Sequence, residues 1–212
     1  LEALYILLGW LLGLLSPGIA ERIRRKHRQK DLMASVMGEL ADLRYMMATY
    51  AYRVGSHIGH ATDDLLDWCL RIMETYDGPE AQPELLKCLH GLRKASEEQR
   101  KAAYLTRRTE RGAVALKECS LPFTEALRAE LSICPLWFQR RLWFVIWQLD
   151  IFNQQVAFVM QSLEKTFDST LTSENQEALS SNIEKGYKAV SERARAIADS
   201  VTALESSIKL ES

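Results

Sequence analysis

The stretch SENQEALSSNIEKGYKAVSERARAIADSVTALESSI, residues 173–208, decides the class of fold. Its apolar residues Ile183, Tyr187, Val190, Ala194, Ile197, Val201, Leu204 and Ile208 alternate steps of four and three. That spacing gathers them on one stripe of an α-helix and scatters them over both faces of a strand. A stripe this long needs a long partner to cover it, either another helix of the same chain or a second subunit. Ser173 and Gln176 stand at capping-box spacing and predict a helix start at Ser173.

Upstream, Met33, Val36, Leu40, Leu43, Met47, Tyr50 and Val54 repeat the same steps before Gly55 and Gly59 punctuate the chain. Thr62 is positioned to cap a short helix with Leu65, Leu66, Trp68, Cys69, Ile72, Met73 and Tyr76 as its apolar surface, and the Asp77-Gly78-Pro79 triplet stops it. Pro83 opens a third helix with Leu85, Leu86, Leu89 and Leu92 as its stripe. Pro122 opens the short FTEALRAEL segment, and Pro135 precedes LWFQRRLWFVIWQLDIFNQQVAFVMQSLEKTF, the most apolar part of the body. Its polar residues Arg140, Arg141, Asp150, Asn153, Gln154 and Gln155 are too expensive for a bilayer crossing. Its wide apolar surface predicts the central helix of a bundle, buried from more than one side, with contact between its tryptophans and a membrane surface as the alternative. No useful strand-like alternation occurs.

The 212 residues, 47% apolar, suffice for one substantial core. The formal net charge of −1 conceals an asymmetry. Residues 21–30, ERIRRKHRQK, hold six Lys or Arg against one Glu, whereas residues 31–212 hold 21 Lys plus Arg against 26 Asp plus Glu. A basic collar on a mildly acidic body favours an anionic membrane surface at the collar and argues against a general nucleic-acid binder. Cys69, Cys88, Cys119 and Cys134 lack the close pairing of a zinc or dithiol site and read as free thiols of a core.

The collar follows ALYILLGWLLGLLSPGIA, residues 3–20, an uncharged run. As a helix, its 18 residues cover about 27 Å, slightly short of a hydrocarbon core of roughly 30 Å. An apolar run with basic residues on one side predicts an anchor with the body on the cytoplasmic face. A cleaved signal peptide is the main rival, because Gly18 and Ala20 form a small-x-small pattern. Glu2 and the position of the basic cluster after the run oppose it. A buried or interfacial helix is the third reading. Gly9 and Gly13 have the spacing at which two membrane helices approach closely. Ser16 and Pro17 predict a break before the next helix begins.

The expected fold is therefore all-α: an N-terminal transmembrane or membrane-associated helix over residues 1–20, a basic juxtamembrane collar over 21–30 opening a long helix, and a cytoplasmic antiparallel bundle with coiled-coil-like seams over 31–212. LLGLLSPGIAERIRRK, ELADLRYMMATYAYRVG and NIEKGYKAVSERARAIADSV resemble a group of uncharacterised bacterial single-anchor membrane proteins with a cytoplasmic helical domain. The resemblance implies a bacterial inner-membrane location with one crossing. It supplies no activity or catalytic residue.

Candidate chemistry is sparse. The collar cations Arg22, Arg24, Arg25, Lys26, Arg28 and Lys30 are the expected membrane-interface residues, and Gly9 and Gly13 the expected anchor-packing positions. In RKASEEQRKAAYLTRRTER, residues 93–111, the pairs Arg93/Lys94, Arg100/Lys101 and Arg107/Arg108 recur every seven residues. On one continuing helix they form a two-residue-wide stripe for lipid or nucleic-acid phosphate, or a solvated face with i to i+4 ion pairs. His57, His60 and Asp64 would share a face of an uninterrupted helix and are candidate metal ligands. No HExxH motif, nucleophile elbow or glycine-rich phosphate loop occurs. The residues thus predict no cofactor and a non-enzymatic interaction or scaffold protein that self-associates or docks a protein partner at the membrane. The alternatives are a metal-dependent enzyme using His57 and His60, or anion binding through the 93–111 stripe.

Overall fold

A computed structural model of the chain describes residues 2–111, 113–167 and 172–211, with side chains for 18–106, 113–167 and 172–210. Among the described residues the fold is entirely helical, without strands. In chain order the helices are α1 (Glu2–His57), α2 (Asp63–Met73), α3 (Pro83–Lys94), α4 (Glu97–Arg111), α5 (Pro122–Ala126), a 3-10 turn at Glu130–Ile133, α6 (Leu136–Lys165) and α7 (Ser173–Glu211).

Helix α7 packs along both α1 and α6. It is antiparallel to each: Arg44 pairs with Glu205 and Ser191 Oγ donates to the Ala51 carbonyl. On the other side Arg141 donates to the Ala203 carbonyl, while Gly186 lies against Val159. The predicted α7 stripe from Ile183 to Leu204 is buried. In α1 Val36, Leu40, Leu43, Met47 and Val54 are buried too, and Leu32 joins them where Met33 is only half-buried. At roughly 1.5–3 kcal/mol for each large apolar side chain removed from water, this shared core outweighs the few ion pairs around it.

Helix α7 is therefore the central helix, and the expectation for α6 needs correction. Only one stripe of α6 is buried, Phe138, Leu142, Val145, Leu149, Phe152, Val156 and Val159. Leu136, Phe144, Trp147 and Phe158 are 50–60% exposed on its other side. Overall apolar content overstated the burial of α6 because its large residues occupy both faces.

Three local starts and stops also differ. Helix α1 runs through Ser16 and Pro17 without the predicted interruption; a proline removes one i→i−4 bond, which need not end a helix whose neighbouring turns persist. The start of α7 is served by Thr172, one residue before the predicted cap, whose Oγ1 accepts from Asn175 N at 3.3 Å. Helix α2 ends at Met73, four residues before the Asp77-Gly78-Pro79 triplet expected to stop it. Three other local signals hold. Thr62 Oγ1 accepts from Leu65 N, Pro83 opens α3, and Gly59 takes the left-handed φ of 74° just past α1.

Between α4 and α6 the chain forms an extended strap that descends beside α1. Its order is read from Tyr187 Oη, which donates to the Val114 carbonyl and accepts from Val114 N, then Tyr50 Oη donating to the Lys117 carbonyl, then Glu39 at Phe123 and Thr124, then Arg28 at Glu130. Its own Leu116, Cys119, Leu121, Leu131 and Cys134 are buried.

The α6–α7 approach is closest at Gly186, where an added Cβ would stand 2.5 Å from Val159 Cγ2. We expect Gly186→Ala to lower the melting temperature, because overpacking at a cost of about 1–3 kcal/mol exceeds the helix-propensity gain of about 1 kcal/mol. Gly38→Ala, on an exposed site with nothing within 4 Å, should raise it. Thermal melts followed by circular dichroism check both signs.

Candidate functional site

From Gly18 to Asp31 the side chains of α1 are exposed or half-exposed, and the first core residue is Leu32. All six collar cations are exposed. The helical period divides them between two faces. Arg22, Arg25, Lys26 and Lys30 share a face and line a groove of about 930 Å³ with Gln29, Met33, Ala34 and Met37 of α1, Pro135 and Trp137 at the start of α6, and Ile208 near the end of α7. Arg24 and Arg28 are absent from its lining. Arg28 instead reaches Glu130 at 2.8 Å. Among the described residues, the other collar cations form no ion pair.

This groove exists because three helix segments meet at one end of the bundle. The antiparallel pairing of α6 with α7 brings the N-terminal turn of α6 beside the last turns of α7, and α1 continues past both toward its N-terminus. Leu136 and Leu210 are exposed at the same end, 60% and 88%. Trp137 packs edge-on against Phe138, which anchors it to the core.

A second exposed surface lies on α6. Exposed Phe144, Trp147 and Phe158 fall with half-buried Ile151 on one helical stripe, the Phe144 and Trp147 rings stacked 5.7 Å apart. A run of large apolar side chains left in water at this density marks an interaction surface more often than a lone exposed leucine does.

The sequence-predicted metal ligands do not converge. His57 is half-buried with its ring edge-on to Tyr187, centroids 5.4 Å apart, whereas His60 is exposed beyond the end of α1. Asp64 pairs with Arg195 at 2.8 Å. The helix that would have aligned all three ends at His57, and among the described residues no group of three or more potential ligands could hold a metal ion.

The 93–111 repeat is divided as well. Ala95 and Ser96 separate α3 from α4, so Arg93 and Lys94 stand on a different helix from Arg100 and Lys101. Arg93 donates to both Asp67 oxygens and Arg100 pairs with Asp63, fastening α3 and α4 to the start of α2. The Arg93 guanidinium holds the Asp67 carboxyl below its usual range. Lys101 pairs with Glu97 one turn away. The side chains of Arg107 and Arg108 lie outside the described residues, as do those of the predicted packing positions Gly9 and Gly13 and of the apolar run up to residue 17. Among the described residues no helix is long and apolar enough to cross a membrane.

Several polar side chains that sequence reading did not single out hold the strap. Both Glu39 oxygens accept from the backbone N–H groups of Phe123 and Thr124 at 2.8 Å, and Thr124 Oγ1 donates to the same carboxylate. Glu39 thus serves as the missing cap of α5. Asn153 imitates a strand partner: its Oδ1 accepts from Cys119 N at 2.9 Å and its Nδ2 donates to the Cys119 carbonyl at 2.7 Å. Tyr50 and Tyr187 do similar work from α1 and α7. A cleft beside the strap, of about 350 Å³, carries Glu118, Glu125 and Asp150, which do not meet as a metal site. The only advance signal was an acid and an amide on otherwise packed helices.

No protein-family model, curated protein or solved structure matches the chain.

Burial governs the titrating groups of this core. It pushes the Cys69 thiol up to about 12 and Cys119 up to about 11. Burial and the Asp42 carboxylate at 2.6 Å raise Tyr76 to about 12. These groups keep their protons in the folded state at a pH where the unfolded chain loses them, so stability should fall as pH rises above the ordinary thiol value of 9.0. Each contributes at most about 1.4 kcal/mol per pH unit. We expect the melting temperature to decline from that point upward, and Cys69→Ala to flatten the decline while lowering the plateau. Melts across the alkaline range test the change in slope.

Proposed function

We propose that the chain is a non-enzymatic helical interaction protein, held at a membrane by its first 30 residues, whose bundle self-associates through the outward face of α6. The stripe of exposed Phe144, Trp147 and Phe158 around half-buried Ile151 carries the association half of this reading. Phe144 and Phe158 each lie seven residues from Ile151. Two copies of α6 packed antiparallel about Ile151 therefore set Phe144 of one protomer against Phe158 of the other. A two-fold interface needs this self-complementarity. Burial of the stripe on association removes the cost of leaving these rings in water.

The membrane half is supported by the apolar run 3–20, by its helical continuity with the collar in α1, and by collar cations held clear of the packed core. Basic residues immediately after such a run favour the cytoplasmic side for the bundle, which in a bacterium makes this an inner-membrane protein with one crossing. The body's charges support an adhesive role over a catalytic one. Asp63, Asp64 and Asp67 are engaged by Arg93, Arg100 and Arg195, which tie α2 to α3, α4 and α7.

Mass photometry of the full chain in mild detergent should give a dimer, and Trp147→Glu with Phe158→Glu should give a monomer of unchanged helical content. A wild-type monomer would remove the basis for association through α6. In cell fractionation the full chain should stay with membranes through a carbonate wash; release into the wash would overturn the anchored reading.

A further inference from the structure

The collar is more than a uniform band of positive charge. Arg22, Arg25, Lys26 and Lys30 occupy just over two turns of one face and open into a groove whose opposite walls are Trp137 and Ile208. Among the described residues no carboxylate lines that groove. Four cations gathered this closely on one helix face repel one another. An anion bound among them removes that repulsion. Arginine offers paired N–H donors that match phosphate oxygens, while lysine adds compact charge.

The position of the groove narrows the choice of anion. Arg22 follows Ala20, the last residue of the apolar run, by two residues, and Lys30 follows it by ten. At about 1.5 Å per residue the four cations lie within roughly 15 Å of the end of that run along α1. With the run inserted in a bilayer, this places them at the depth of lipid headgroups and just beyond.

We infer that the groove binds the headgroup of one anionic phospholipid. Its phosphate is held by Arg22, Arg25 and Lys26, its polar substituent extends toward Lys30 and Trp137, and its acyl chains remain in the bilayer beside the apolar run. The inference depends on the membrane half of the proposed function and adds a defined site to it. It also assigns different tasks to the two collar faces: Arg22, Arg25, Lys26 and Lys30 recognise a lipid, whereas Arg28 secures the 3-10 turn through Glu130.

Native mass spectrometry of the full chain, released from non-ionic detergent after titration with phosphatidylglycerol or phosphatidylcholine, tests the site. One phosphatidylglycerol per chain should be retained saturably, with phosphatidylcholine retained far less. The pair Arg22→Glu, Lys26→Glu should weaken retention roughly tenfold or more, while the pair Arg24→Glu, Arg28→Glu, identical in charge change, should alter it by less than about twofold. Inorganic phosphate in large excess should leave the lipid bound. Equal weakening by the two pairs, no weakening by either, or ready displacement by phosphate would each overturn the headgroup site. Those results would leave the carbonate-wash result untouched, so failure of the site is distinct from failure of the anchored reading.

Discussion

Burial of the α7 stripe from two sides is the constraint from which the other features of the bundle follow. Val190, Ala194, Ile197, Val201 and Leu204 have no exposure, and small residues interleave with large ones along the helix. Ala194 and Ala198 let α7 sit close to its neighbours, and Gly186 admits Val159 of α6 where any side chain would intrude. Removing α7 would open α1 and α6 to water together. Both neighbours run antiparallel to it, and therefore parallel to each other.

That parallel arrangement requires a long connection, and the strap supplies it. An extended segment inside a helical protein cannot satisfy its own backbone hydrogen bonds. Neighbouring helices answer for it through side chains: Tyr187 at Val114, Tyr50 at Lys117, Asn153 at Cys119 and Glu39 at the start of α5. These residues look unrelated in sequence. Together they form a column of polar contacts along the strap, while Leu116, Leu121 and Leu131 bury its apolar side.

Charge is used differently at the two ends of the molecule. Around α2, acids and bases meet across helices, and Arg195 also lies over the Trp68 ring, whose Nε1 donates to Asp199 at 2.9 Å. At the collar six cations stand against one Glu, and among the described residues Arg28 alone forms an ion pair. The first arrangement holds helices together. The second leaves charge available to an anionic surface, which is the basis for the proposed role of this end.

The sequence by itself determined the helical class, the two long seams, the Thr62 cap, the proline-led starts and the charge contrast of the collar, because each depends on spacing within a few turns. The break between α3 and α4 was masked by the seven-residue basic repeat that runs straight across it, although Ser96 and Gln99 form a capping box at the start of α4, each side chain bonding the other's backbone N–H. Tertiary structure alone decided that α7 rather than α6 is central, that Glu39 and Asn153 serve a strap far away in sequence, and that four collar cations face a groove while Arg24 and Arg28 do not line it. These outcomes depend on which surfaces meet across long separations. Helical periodicity specifies a face; only packing specifies what covers it.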